Sequence, residues 1–136
     1  MEGMIIYEHA SIWTDSSGIL FCKFKSLNAN NKLDYPKAEL CIEAISKLSK
    51  GISMPLLIDL RDTKGTFSIA AARFLARSFN NLSLIISEAY VINSLSINIL
   101  IRSYKRLYDT SIPYAVFNTM EMAERYCLEF KNDMSK

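Results

Sequence analysis

His9 is the only histidine among the 136 residues, and this limits the chemistry the chain can do. A histidine-rich zinc site, or acid–base work by paired histidines, needs a second imidazole. A Cys–His nucleophile would have to draw on His9 and one of Cys22, Cys41 and Cys127. Nothing local favours such a pair. The three cysteines form no C-x-x-C motif, are odd in number and each lie in an apolar pattern. Free buried thiols in a reducing compartment are expected.

Asp59 and Asp62 follow an apolar run, at the kind of strand end where open α/β sheets place ligands. Two carboxylates there could hold a cation or move a proton. No third acidic or histidine ligand follows nearby, and Arg61 and Lys64 can neutralise both, so ion pairing is the expected role. Gly3, Gly18, Gly51 and Gly65 are too far apart for G-x-G-x-x-G or G-x-x-x-x-G-K-[ST] phosphate loops. The residues assemble no catalytic set, and neither a metal nor a cofactor is expected.

Composition sets the frame for these side chains. With 50% hydrophobic and 22% charged residues, the chain is too apolar for disorder, and its length suits a single domain over residues 1–136. Formal charge is only +2, although the stretch from Arg61 to Arg106 carries seven basic and two acidic residues. A nucleic-acid binder would show a stronger excess with interleaved aromatics, so none is expected as partner. Met1–Met4 has no basic region of a secretory signal. The charge-free stretch Ala89–Ile101 is short of the roughly 20 apolar residues a bilayer requires. No membrane association and a cytoplasmic location are expected.

Hydrophobic period places the elements. Ile5–Trp13 and Ile19–Lys25, around the break at Asp15–Gly18, predict a β-hairpin. A helix follows from Asp34 or Tyr35, with Pro36 in its first turn and Gly51 as its cap. Pro55–Leu60 predicts a strand covered on both faces. A helix from Ser68 presents Ala72, Leu75, Phe79 and Leu82 on one side, and Arg73 and Arg77 opposite. Ala89–Ile92 predicts a strand. The next helix, from about Leu95 to Tyr108, turns Ile97, Ile101, Tyr104 and Tyr108 inward, with Arg102 and Arg106 outward. Pro113–Phe117 is the last strand and Thr119–Phe130 the last helix. The expected fold is α/β: a hairpin, then three βα units, giving a mixed, mostly parallel five-stranded sheet with four helices.

This order resembles the STAS fold of bacterial anti-sigma-factor antagonists, and more narrowly uncharacterised STAS-like bacterial proteins. The similarity lies in Trp13 with Gly18-Ile19-Leu20, the strand Pro55–Asp62, and the helix start Ala71-Ala72-Arg73. It extends to Ala89–Ser94 and to Pro113–Asn118 leading to Ala123. In signalling STAS proteins a Ser or Thr at the start of the second helix is phosphorylated. The resemblance makes Ser68, Thr66 and Thr63 the phosphoacceptor candidates. The family's Asp-Ser-Ser/Thr-Gly motif is absent here, and helix capping alone accounts for Ser68.

The resemblance implies a non-enzymatic module that binds a protein partner. Arg73, Arg77, Arg102 and Arg106 would form its surface for an anionic partner. Solvated helix surface is the plainer account of the same arginines. The alternative function is a small-ligand or lipid-binding domain, with its pocket at Asp59, Arg61, Asn93, Ser94 and Asn118. Trp13, Tyr7 and Phe21 on the hairpin either close the core or form a homodimer patch.

Overall fold

The computed structural model describes residues 3–25, 27–28, 30–61, 63–64, 67–82, 84–108 and 111–134. Thr66 and Asp62 lie outside the described residues. The elements are β1 (Gly3–Ile6), β2 (Ala10–Thr14), β3 (Leu20–Phe24), α1 (Tyr35–Ser49), β4 (Met54–Asp59), α2 (Ile69–Leu82), β5 (Ile85–Val91), α3 (Leu95–Tyr108), β6 (Tyr114–Phe117) and α4 (Met120–Met134). They form one six-stranded sheet in the order β1-β2-β3-β4-β5-β6. The first two pairings are antiparallel and the next three parallel.

The sheet has six strands rather than five because Ile5–Trp13 is not continuous. It reverses at Tyr7–His9, where the Tyr7 amide donates to the Ala10 carbonyl at 2.7 Å. That turn contains no Gly, Pro, Asn or Asp, so composition gives no sign of it. The expected hairpin is therefore a three-stranded meander. β5 also begins earlier than expected, at Ile85, because it carries Glu88 inside.

From β3 onward each strand lies one place further along the sheet in the same direction. Right-handed crossovers then place α1, α2 and α3 on one face. Ala38, Cys41, Ala44 and Ile45 of α1 join Ala71 and Phe79 of α2 and Ile97 and Ile101 of α3 in one core with Leu20, Leu56 and Ile58. The other face of β4 and β5 is covered by α4. There Ala123 and Cys127 pack on Ile19, Phe21, Leu57, Ala89 and Val91. Alternation along each strand makes this possible: Leu56 and Leu57 are adjacent, both 1% exposed, and point to opposite cores.

Local chemistry sets the helix ends. Asp34 accepts from the Lys37 amide at 3.1 Å at the start of α1, and Pro36 sits in the first turn. The helix ends one residue before the expected cap. Lys50 itself takes the left-handed conformation, with φ 52°, and Gly51 follows at φ 80°. Trp13 stacks on Phe21 with ring centroids 5.1 Å apart and packs against the α4-side core, so it fills the interior. No helix among the described residues is long and apolar enough to cross a membrane.

Leu57 is buried in the α4-side core. Truncation to Ala is expected to cost about 2–5 kcal/mol, from lost transfer energy plus the void left behind. Urea unfolding of Leu57→Ala against wild type checks this, and a loss under about 1 kcal/mol would contradict the two-core arrangement.

Candidate functional site

The sheet's carboxyl end holds most of the residues singled out from sequence, but not in one place. Asp59, the last residue of β4, is 4% exposed. Its carboxylate accepts from Arg61 Nε at 3.0 Å and Nη2 at 2.9 Å, and from the Arg61 amide at 3.1 Å. Burial pushes this carboxyl up, but the Arg61 hydrogen bonds and charge outweigh it and hold the group below the usual aspartate range. Asp59 is thus an ion-pair partner, as its loop context implied. Among the described residues no group of three or more His, Cys, Asp or Glu could hold a metal ion.

Asn93, Ser94 and Asn118 do come together. With Leu95 and Asn98 they line an open surface depression of about 400 Å³ at the ends of β5 and β6. Asp59 and Arg61 are not part of it. Ser94 has a second duty, since its hydroxyl oxygen accepts from the Ile97 amide at 3.2 Å and caps α3.

Of the phosphoacceptor candidates, Thr63 is buried and donates its hydroxyl to the Leu60 carbonyl at 3.1 Å. Ser68 caps α2, accepting from the Ala71 amide at 3.0 Å. Both hydroxyls are engaged in shaping the loop and the helix start.

Arg73 and Arg77 on α2, and Arg102 and Arg106 on α3, are all exposed. The two helices are neighbours. Neither contains an acidic residue. Ile69 precedes the arginines on the α2 stripe and is 68% exposed; Leu95 and Ile99 precede them on α3, at 74% and 56%. The spacing of three or four residues sets each apolar residue in line with its arginines.

One group escaped the sequence reading altogether. Lys105 is buried beside Arg106 on α3 and forms an ion pair with Glu88 of β5, itself fully buried. Tyr90 donates its hydroxyl to the same Glu88 oxygen at 3.0 Å. The Lys105 ammonium lies 5.2–5.7 Å from the ring centroids of Tyr114, Tyr90 and Tyr104. Burial, reinforced by Glu88, raises the Tyr90 and Tyr104 phenols far above their ordinary value. Among the described residues the second Glu88 oxygen and the Tyr104 hydroxyl have no hydrogen-bond partner. The signal was there: Ile97, Ile101 and Lys105 recur every four residues, on the inward stripe.

Between the sheet and α1–α3 lies an apolar cavity of about 80 Å³. Its floor includes Cys22, Ile58 and Tyr90, which are cross-strand neighbours, and its walls include Cys41, Phe79 and Tyr104.

The overall fold is similar to that of a solved structure. That structure is an uncharacterised protein from the DUF3478 family with a SpoIIAA-like fold, from Shewanella loihica PV-4. It aligns at TM-score 0.59 and 16% identity over 93% of this chain and 92% of that one. The fold is therefore SpoIIAA-like, the STAS class. Within it, the chain belongs to the DUF7793 family, a domain of unknown function whose family model matches residues 12–131. No curated protein matches the sequence.

Two outcomes follow. Because the folded Asp59 carboxyl titrates below its ordinary value of 3.8, its stabilising effect is full above that value and is lost as pH falls through the lower, folded one. Asp59→Asn should therefore lose less stability than wild type between about pH 7 and about pH 2, as measured by thermal unfolding. Equal acid sensitivity would remove the Arg61 pairing from the account. Lys105→Met leaves the Glu88 carboxylate buried and unpaired, and is expected to cost about 3–5 kcal/mol. Adding Glu88→Gln should restore much of that loss in denaturant titration, because the uncompensated charge is gone.

Proposed function

We propose that the chain is a non-enzymatic STAS-like interaction module that binds an acidic protein surface through the outer faces of α2 and α3. One observation carries this reading. Arg73, Arg77, Arg102 and Arg106 are exposed on two adjacent helices that contain no carboxylate, with Ile69, Leu95 and Ile99 exposed beside them. Arginine with exposed aliphatic anchors suits a protein interface, where the anchors lose water and the guanidinium groups form forked pairs with carboxylates. The role follows that of signalling STAS proteins, which the fold resembles, in a bacterial cytoplasm.

The alternative, a small-ligand or lipid-binding domain, draws support from the depression at Asn93, Ser94 and Asn118. It has less behind it. An interior cavity of about 80 Å³ is well below the roughly 150 Å³ that accommodates benzene, so a lipid tail has no room. A homodimer through the hairpin is also the weaker proposal. Trp13 and Phe21 are taken up by packing, and only Met4 and Ile6 of β1 are strongly exposed at that edge.

Charge reversal tests the module. The quadruple variant Arg73→Glu, Arg77→Glu, Arg102→Glu and Arg106→Glu should fold as wild type, since every altered side chain is exposed. Affinity for a partner recovered by cross-linking should fall at least about tenfold, as like charges face each other across the interface. The same binding should weaken with added salt. Unchanged affinity in the variant overturns the assignment of this face.

A further inference from the structure

Cys41 on α1 and Cys22 on β3 line the apolar cavity and belong to a cluster of three groups. Both cysteines are buried, at 2% and 3% exposure, and both line the cavity. The third member is His9, in the turn between β1 and β2, which is 5% exposed and stacks on Tyr7 with ring centroids 5.5 Å apart. His9 Nε2 lies 3.8 Å from Cys41 Sγ. Cys22 is the other thiol in the cavity lining. Cys41 thus combines a neighbouring imidazole with a place in the wall of an apolar cavity. Cys127, across the sheet in the α4-side core, touches neither the cavity nor a histidine.

We propose that Cys41 is a nucleophilic thiol that binds small, uncharged electrophiles covalently inside the cavity, with α,β-unsaturated aldehydes of short chain as the substrate class. An apolar wall admits a neutral molecule and imposes a heavy desolvation cost on an ionic one, so the cavity selects before the sulfur reacts. Its size restricts the choice to a few heavy atoms. In the step itself Cys41 gives its proton to His9 Nε2, the thiolate so formed attacks the β-carbon and a C–S bond forms. The C=C π electrons move toward the carbonyl as an enolate, and the α-carbon takes up the proton that left Cys41. No group leaves and nothing is oxidised. The sum of the step is one thiol plus one enal giving one thioether.

The electrostatics favour the same sulfur. Hydrogen bonding from Cys22, together with the His9 contact, outweighs burial and lowers the Cys41 thiol below the ordinary thiol range. Giving its hydrogen to Cys41, with burial added, pushes Cys22 well up. Burial pushes Cys127 up to about 12.

The test treats the folded wild-type chain with acrolein, and separately with iodoacetate, and measures each cysteine by peptide mass spectrometry. Each rate is divided by that of the same cysteine in the urea-unfolded chain, which removes differences between the reagents. Acrolein should modify Cys41 at least about tenfold faster than Cys22 or Cys127. Iodoacetate, being charged, should leave Cys41 protected. His9→Gln should slow acrolein addition at Cys41 by about tenfold or more, without changing Cys127. Equal rates at the three cysteines, iodoacetate labelling as fast as acrolein, no reaction in the folded chain, or an unaffected His9→Gln rate would each overturn the proposal.

Discussion

Coverage of the two central strands on both faces is the constraint from which the rest of the structure follows. β4 is buried along its whole length, and β5 at all but one residue. Right-handed crossovers that always step in one direction can supply helices to only one side of such strands. The second side has to be closed by an element that needs no further strand after it. α4, the chain's last helix, does so, which gives the short stretch from β6 to α4 its importance. Without Ala123 and Cys127 seated on Leu57, Ala89 and Val91, the central strands would face water on their apolar side.

The same geometry determines what α2 and α3 can offer. As neighbours on one face they share an inner side, where Phe79, Ile97 and Ile101 are buried. They also share an outer side where, among the described residues, Arg73, Arg77, Arg102 and Arg106 are exposed. Carboxylates on that outer side would neutralise it locally, and there are none. The acid that could have served, Glu88, lies beneath α3 and is consumed by Lys105. A buried pair of this kind is weak evidence for added stability, because desolvating both ions offsets most of their attraction. It does help to fix α3 in rotation, with Lys105 directed at the sheet while Arg102 and Arg106 are exposed.

How far the sequence revealed this depended on whether a residue's surroundings were local. The strand Pro55–Leu60, the helix starts at Asp34 and Ser68, and the outward arginines were legible because period, caps and turn residues are set within a few positions. Asp59 was legible too, since its partner Arg61 is two residues on. The Tyr7–His9 reversal was not, because a hydrogen-bonded turn without Gly or Pro leaves no compositional mark. Glu88 was also hidden. A carboxylate inside an apolar run reads as a strand boundary until the lysine that neutralises it, 17 residues later, is seen to fold over it. His9 and Cys41 are 32 positions apart and meet only because β2 and α1 pack together.

The cavity and the outer arginine face are two sides of one pair of helices. Leu75 and Phe79 of α2, and Ile97, Ile101 and Tyr104 of α3, border the empty space, while the arginines of the same helices point outward. Protein interiors are close-packed, so atoms added to a cavity of about 80 Å³ either fill it or move its walls. Filling it adds dispersion contacts that the empty space forgoes and tightens both helices against the sheet. Moving the walls shifts the outer arginines with them. Linkage makes either response reciprocal: if occupation of the cavity changes affinity at the outer face, a partner bound there changes affinity at the cavity by the same factor. Only the two helices themselves lie between the cavity and the outer arginines.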